Sequence, residues 1–110
     1  MARILVVDDE RSMREFLEIL LSKGGHDVTC VDGGERAIDL ATDSNEFDLV
    51  ITDLKMPRVG GIEVLERFKY HAPETEVIVM TAYSTTETAI AAMKRGAYDY
   101  LSKPFQVDEI

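Results

Sequence analysis

The stretch Leu49-Val50-Ile51-Thr52-Asp53 is the most informative part of this 110-residue chain for predicting its fold. It is a short apolar run, partly β-branched, that ends in a carboxylate and is followed by Pro57 and Gly60-Gly61. An apolar run this short, closed by proline and glycine, predicts a buried strand rather than a helix. Ligands of open parallel α/β sheets bind at the carboxyl ends of the strands. We therefore expect Asp53 at the edge of the sheet that carries the functional site.

Other apolar runs of similar length predict four more strands, at residues 4–7, 28–31, 77–80 and 98–101. Segments with the apolar spacing of amphipathic helices lie between them. Because strands alternate with helices along the chain, the sequence predicts an α/β fold with a doubly wound, five-stranded parallel sheet. The strand that ends at Asp53 is expected nearest the centre of this sheet.

Sequence patterns also predict the packing faces and the ends of the helices. The first should pack through an apolar stripe, formed by Met13, Phe16, Leu17, Leu20 and Leu21. Ser12 and Glu15 have capping-box spacing near the start of the first helix, with an earlier start left open. Ser84 and Glu87 have the same spacing and are predicted to open a fourth helix that runs through Arg95. The fourth helix is rich in alanine, so we expect it to be held less firmly than the first. Residues 106–110 look like the first turn of a fifth helix, so we expect residues 1–110 to be one domain whose last helix is truncated.

Composition excludes several classes of partner. The net charge of −9 disfavours direct contact with nucleic acid or an anionic membrane. The apolar runs are too short to cross a bilayer, and the first residues lead directly into a strand rather than a signal peptide. The single cysteine, Cys30, cannot form an internal disulfide, which fits a reducing cytoplasm, and we expect it to be buried.

Polar groups follow several of the predicted strands. Asp8 and Asp9 follow the first, Asp53 ends the third, Thr81 follows the fourth, and Lys103 lies just beyond the fifth. Each residue by itself has an ordinary explanation, such as a helix cap or a surface charge. Because the carboxyl ends of parallel strands share one edge, we expect all five side chains to converge there.

This convergence has a chemical consequence. Three clustered carboxylates repel one another, so either one of them holds a proton or a cation lies among them. Oxygen ligands with open positions suit Mg²⁺. Asp53 could then act as a nucleophile toward a phosphoryl group and form an acyl phosphate. Lys103 and the metal ion would neutralise the oxygens of that group, and Thr81 would donate a hydrogen bond to it.

The residues resemble the CheY-like receiver domain of two-component response regulators over the whole chain. The resemblance rests on the acid pair Asp8-Asp9, on Asp53 with Met56-Pro57, on Thr81-Ala82 and on Lys103-Pro104. It implies that Asp53 is the phosphorylation site and that Thr81 and Lys103 contact the phosphoryl group. It also implies that Mg²⁺ is held by Asp9, Asp53 and the Lys55 backbone carbonyl, with Asp8 acting through water. Tyr100 matches the aromatic switch position of the family.

Three segments are similar to the receivers of NtrC-type activators, namely residues 52–57, 80–83 and 96–101. Such activators carry a carboxy-terminal AAA+ ATPase that acts on sigma-54 RNA polymerase, and a DNA-binding domain. The resemblance therefore implies a cytoplasmic protein with these additional domains, a sensor histidine kinase as phosphodonor, and a homodimer as a further candidate assembly. Phosphorylation would change the surface formed by the fourth helix and fifth strand.

Alternative functions remain open. The chain could be a stand-alone receiver, or a docking module that is never phosphorylated. A phosphatase of haloacid-dehalogenase type is disfavoured, because such enzymes carry a second aspartate two residues after the nucleophile, where this chain has Lys55. We expect no enzyme activity beyond self-phosphotransfer and auto-dephosphorylation. Neither His26 nor His71 is expected to act as a phosphodonor.

Overall fold

The computed structural model describes residues 2–42, 47–81 and 86–102. Strands and helices alternate throughout these ranges, as the sequence predicts. The strands are β1 (Arg3–Val7), β2 (Asp27–Val31), β3 (Leu49–Asp53), β4 (Glu76–Thr81) and β5 (Asp99–Ser102). The helices are α1 (Arg11–Lys23), α2 (Gly34–Thr42), α3 (Gly61–His71) and α4 (Thr86–Lys94). None of these four helices has the length and hydropathy of a membrane span.

The five strands form one parallel sheet in the order β2-β1-β3-β4-β5. The chain therefore proceeds from β1 to one side of the sheet and then crosses to β3 on the other side. The carboxyl ends of β1 and β3 lie at this change of direction, where doubly wound sheets bind their ligands. The predicted fold class is confirmed, and β3 is the central strand.

Successive residues of a strand point to opposite faces of the sheet, and both faces are covered by helices. On one face Leu5 and Val7 pack in a core that includes Phe68 of α3. On the other face Ile4 and Val6 pack with residues of α1, including Leu17. Continuous apolar strands such as β1 are the pattern expected for a sheet covered on both faces. Two packed layers of helix thus hold the sheet edge in place.

The structure settles where α1 starts, and it corrects one residue of the predicted packing face. The helix begins at Arg11, so Ser12 lies inside its first turn, and the N-cap residue is Glu10, which makes no capping hydrogen bond through its side chain. The side chain of Phe16 is 42% exposed, whereas Leu17 is fully buried. Neighbouring helical residues point about 100° apart, and in α1 the face that meets the sheet is centred nearer Leu17 than Phe16.

Other boundaries shift by small amounts. The strand β5 covers Asp99–Ser102 rather than residues 98–101, and α4 ends at Lys94 rather than Arg95. Cys30 is half-buried rather than fully buried, since β2 is an edge strand of the sheet. The predicted cap at Ser84 and the predicted fifth helix at residues 106–110 lie outside the described residues.

Candidate functional site

The first two acids of the site follow β1 directly. Asp8 is fully buried, and its backbone N–H donates to the Val31 carbonyl of β2 at 3.3 Å. Its side-chain oxygen Oδ1 accepts a hydrogen bond from the backbone N–H of Glu10 at 2.9 Å. This contact closes a tight turn before α1, a common use of aspartate. Asp9 lies within that turn, and its side chain is exposed.

The third acid, Asp53, is the last residue of β3 and is only 6% exposed. The next residue, Leu54, donates its N–H to the Met80 carbonyl of β4 at 2.9 Å, and its carbonyl accepts the N–H of Gly61 at 2.9 Å. A Cβ atom at Gly61 would overlap the carbonyl oxygen of Asp53 and would lie 2.9 Å from the Cα of Leu54. The start of α3 therefore packs against the backbone of Asp53 without an intervening side chain.

The fold brings the three acids together. Carboxylate oxygens of Asp8, Asp9 and Asp53 lie within 4.8 Å of one another. Two carboxylates at that distance repel by about 3 kcal/mol at an effective dielectric constant near 20. A divalent cation would remove this repulsion, and oxygen ligands, of which two are buried and one is exposed, leave room for the waters that Mg²⁺ retains. The donor set therefore fits Mg²⁺.

Thr81 lies beside this cluster, on the next strand. It is the last residue of β4 and is fully buried. The pairing of Asp53 with Met80 places Thr81 one residue beyond Asp53 along the sheet, and Thr81 itself pairs with Ser102 of β5. The acids and this hydroxyl thus share one edge of the sheet, as the sequence predicts. Lys103 follows β5 directly but lies outside the described residues.

Lys55 and Tyr100 are the two remaining predicted site residues. Lys55 is an exposed residue in the segment between β3 and α3. Tyr100 lies on β5 and is half-buried, and its hydroxyl is 2.7 Å from the Oγ1 of Thr88 on α4. That hydrogen bond joins the predicted switch residue to the predicted switch helix. The sequence does not predict this bond, because a contact between a helix and the following strand carries no spacing signal.

Two further residues of the site had no recognised function in the sequence. Gly61 was interpreted only as part of a turn, although a glycine that directly precedes an amphipathic helix is also consistent with close backbone contact. Arg14 looks like an ordinary charged residue of the first helix, but its Nη1 donates to the backbone carbonyl of Asp8 at 2.8 Å. No pattern around Arg14 could have revealed a contact to the backbone.

The neighbouring Cys30 has altered acidity. Burial raises the pKa of its thiol above the ordinary value, and the negative charge of Glu18 adds to the shift, while Arg14 opposes it. Its Sγ lies 3.8 Å from the backbone carbonyl of Arg14. A thiol with a raised pKa is a poor nucleophile, so Cys30 fits a packing function.

Comparison with known proteins identifies the family to which this chain belongs. The sequence model of the response regulator receiver domain matches residues 4–110. The regulatory protein AtoC of Escherichia coli (strain K12) is 41% identical over 108 residues, which cover 98% of this chain and 23% of AtoC. The DNA-binding transcriptional regulator NtrC of Klebsiella pneumoniae is 38% identical over 104 residues, which cover 94% of this chain and 22% of NtrC. This chain spans less than a quarter of the length of either relative.

A solved structure shows the same similarity. The beryllofluoride-activated NtrC4 receiver domain, determined as a dimer in solution, superposes with a TM-score of 0.91 at 33% identity. The alignment covers 99% of this chain and 89% of that one. The family match, the strand order and the acid cluster lead to one conclusion. The protein belongs to the receiver domains of two-component response regulators, and it is similar to those of NtrC-type sigma-54-dependent activators.

Proposed function

We propose that this receiver is a phosphorylation switch whose phosphoacceptor is Asp53. One observation carries the proposal: the nearly buried Asp53 shares a cluster of carboxylate oxygens within 4.8 Å with Asp8 and Asp9 at the carboxyl edge of the sheet. Such a cluster costs free energy unless a cation offsets it. A cation bound at the end of the central strand would offset that cost and would also supply positive charge for phosphoryl transfer.

The proposed reaction is a single displacement at phosphorus. A carboxylate oxygen of Asp53 attacks the phosphoryl group of a phosphohistidine on a sensor histidine kinase, and the P–N bond breaks as the O–P bond forms. The electron pair of the broken bond returns to the imidazole nitrogen, which takes up a proton. The product is an aspartyl phosphate. Attack by water on the same phosphorus later releases inorganic phosphate and restores the carboxylate of Asp53.

Other residues of this chain bind and orient the phosphoryl group. Bound Mg²⁺ supplies positive charge that offsets the charge of the phosphoryl oxygens. Asp9, Asp53 and the backbone carbonyl of Lys55 would hold the ion, and Asp8 would contribute through water. Lys103 would pair with a phosphoryl oxygen, and Thr81 would donate a hydrogen bond to it. Thr81 is fully buried at the end of β4, so its hydroxyl can contribute without competition from bulk water.

The output of the switch would be transcription activation in the cytoplasm. Movement of Thr81 toward the phosphoryl group would be accompanied by movement of Tyr100, and the surface of α4 and β5 would change. AtoC and NtrC are several times longer than this chain. We propose that carboxy-terminal AAA+ and DNA-binding domains receive the signal and that residues 1–110 act as one regulatory domain. A homodimer, as determined for the NtrC4 receiver, is the proposed active assembly.

Intact-mass measurement tests the phosphoacceptor. The protein is incubated with acetyl phosphate with and without Mg²⁺, and the same is done for Asp53→Asn and Asp32→Asn. Asp32 is a matched control because it is an exposed carboxylate that follows β2 at the same edge. We expect one phosphoryl adduct that requires Mg²⁺, is retained in Asp32→Asn and is lost in Asp53→Asn.

The alternative functions predict different results. A docking module would form no adduct under any condition. A phosphatase would form little adduct but would release inorganic phosphate continuously from a phosphate ester. An adduct retained in Asp53→Asn would show that another residue is the acceptor and would contradict the proposal.

A further inference from the structure

The turn that carries Asp8 and Asp9 is held by contacts from three sides. The N–H of Asp8 is bonded to β2, and its Oδ1 holds the N–H of Glu10. The third contact comes from Arg14 on α1, whose Nη1 donates to the Asp8 carbonyl oxygen at 2.8 Å. That oxygen belongs to the peptide group joining Asp8 to Asp9. Rotation of this peptide group would displace Asp9, so the guanidinium restrains the exposed acid through the backbone.

We infer that Arg14 is a positioning residue for the Mg²⁺ site, an inference that rests on the proposed function. Arg14 is half-buried in the second turn of α1, where its own N–H is bonded to the Glu10 carbonyl at 3.2 Å. A hydrogen bond from a cationic donor is stronger and more directional than one between neutral groups. The buried acids are fixed by their own surroundings, whereas the exposed Asp9 depends on the backbone for its position. Arg14 supplies that rigidity, together with a positive charge beside the backbone of the turn.

A second arginine on the same helix allows the effect of the charge on Mg²⁺ binding to be distinguished from the effect of the hydrogen bond. Arg11 has a highly exposed side chain, and its Nε pairs with Glu15 at 2.8 Å. Arg11→Met and Arg14→Met change the net charge equally and keep an unbranched side chain. Only Arg14→Met removes the donor to the Asp8 carbonyl. Arg14→Lys retains the charge on a shorter side chain and tests the same bond if Arg14→Met does not fold.

Isothermal titration calorimetry with MgCl₂ measures the effect without any phosphoryl transfer. Loss of a contact that orients a metal ligand commonly weakens metal binding 10-fold or more. We expect Arg14→Met to raise the Kd for Mg²⁺ about 10-fold, Arg14→Lys to give an intermediate value, and Arg11→Met to remain within about 2-fold of the unmodified protein. Circular dichroism verifies that each variant is folded.

Two results would overturn the inference alone: equal values of Kd for Arg14→Met and Arg11→Met, or an Arg14→Lys variant that binds as tightly as the unmodified protein. If the unmodified protein itself binds no Mg²⁺, the proposed metal site fails, and the inference fails with it.

Discussion

The backbone beside Asp53 leaves no room for a side chain at Gly61. A Cβ atom there would meet the carbonyl of Asp53 and the Cα of Leu54, both of which are backbone groups that cannot move independently. At the scale of single residues, the position of Asp53, the proposed phosphoacceptor, therefore depends on a residue with no functional group. The same applies to Arg14, whose contact is to a carbonyl rather than to a carboxylate.

Gly61→Ala should destabilise the protein by about 2 kcal/mol, because overpacking against backbone forces β3 and α3 apart. It should also reduce the yield of the Asp53 adduct in the mass experiment. Urea unfolding measures the stability. Gly33→Ala is the control, since a Cβ at Gly33 would have no heavy atom within 4 Å. That change should cost at most about 1 kcal/mol, as Gly33 lies at the start of α2. Equal costs for the two variants would contradict the packing argument.

The raised pKa of Cys30 predicts slow alkylation. The native protein should react with iodoacetamide more slowly than the urea-unfolded chain at the same pH, because less thiolate is present in the folded state. The folded state also binds the thiol proton more tightly, so its stability should fall as the pH rises above about 8.5. Mass spectrometry is unambiguous, since the chain has one cysteine. Equal native and unfolded rates would show that the thiol is neither buried nor shifted in pKa.

At the scale of elements, α4 differs from the other helices in how it is held. Ala92 is fully buried, but Ile90 and Met93 are 49% and 48% exposed. Burial of a methyl group stabilises a helix less than burial of a leucine side chain. The 2.7 Å hydrogen bond between Thr88 and Tyr100 therefore provides a larger share of the stabilisation of α4 than one such bond would provide for α1. These contacts support the expectation that α4 is held less firmly than α1.

Hydrogen exchange tests that expectation and the bond itself. Amides of α4 should exchange faster than those of α1. Thr88→Val should increase the exchange of α4 further, because loss of the hydrogen bond to Tyr100 lowers the local stability by about 1 kcal/mol. Thr42→Val is the control, because the hydroxyl of Thr42 bonds carbonyls of its own helix, those of Ile38 and Asp39. Exchange in α4 that is no faster than in α1, and is unchanged by phosphorylation, would contradict a mobile α4.

At the scale of the whole molecule, stability and the acid site are coupled. The protein carries a net charge of −9, and three of its carboxylates are clustered at one edge of the sheet. A ligand that binds only the folded state stabilises that state according to its concentration and Kd. Binding of Mg²⁺ at this edge should therefore be measurable as a property of the entire fold.

Mg²⁺ should raise the melting temperature. The free energy of unfolding should increase by about 2.7 kcal/mol when the Mg²⁺ concentration is 100 times the Kd. NaCl at the same ionic strength is the control, because general screening of surface charge would act in both salts. Asp9→Asn should reduce the Mg²⁺ response. Equal shifts in MgCl₂ and NaCl would show that the carboxylates do not form a metal site.

Local patterns in the sequence were sufficient to predict the order of the elements and the set of polar residues at the sheet edge. Apolar runs and helical spacing are local signals, so β3, the buried Leu17 and the acids at strand ends could be recognised without coordinates. The topological rule for parallel sheets then placed Asp8, Asp9 and Asp53 on one edge. The 4.8 Å cluster agrees with that prediction.

The buried face of each helix and the contacts between backbone groups became known only from the packed fold. Phe16 and Leu17 were both predicted to pack, yet only Leu17 is buried, and Phe16 is 42% exposed. The contacts of Arg14 with Asp8, of Gly61 with Asp53 and of Thr88 with Tyr100 join residues by distance in space. Such contacts leave no periodic pattern in the chain. They depend on the angles and separations at which whole elements pack, and those are set by all the side chains of the core together.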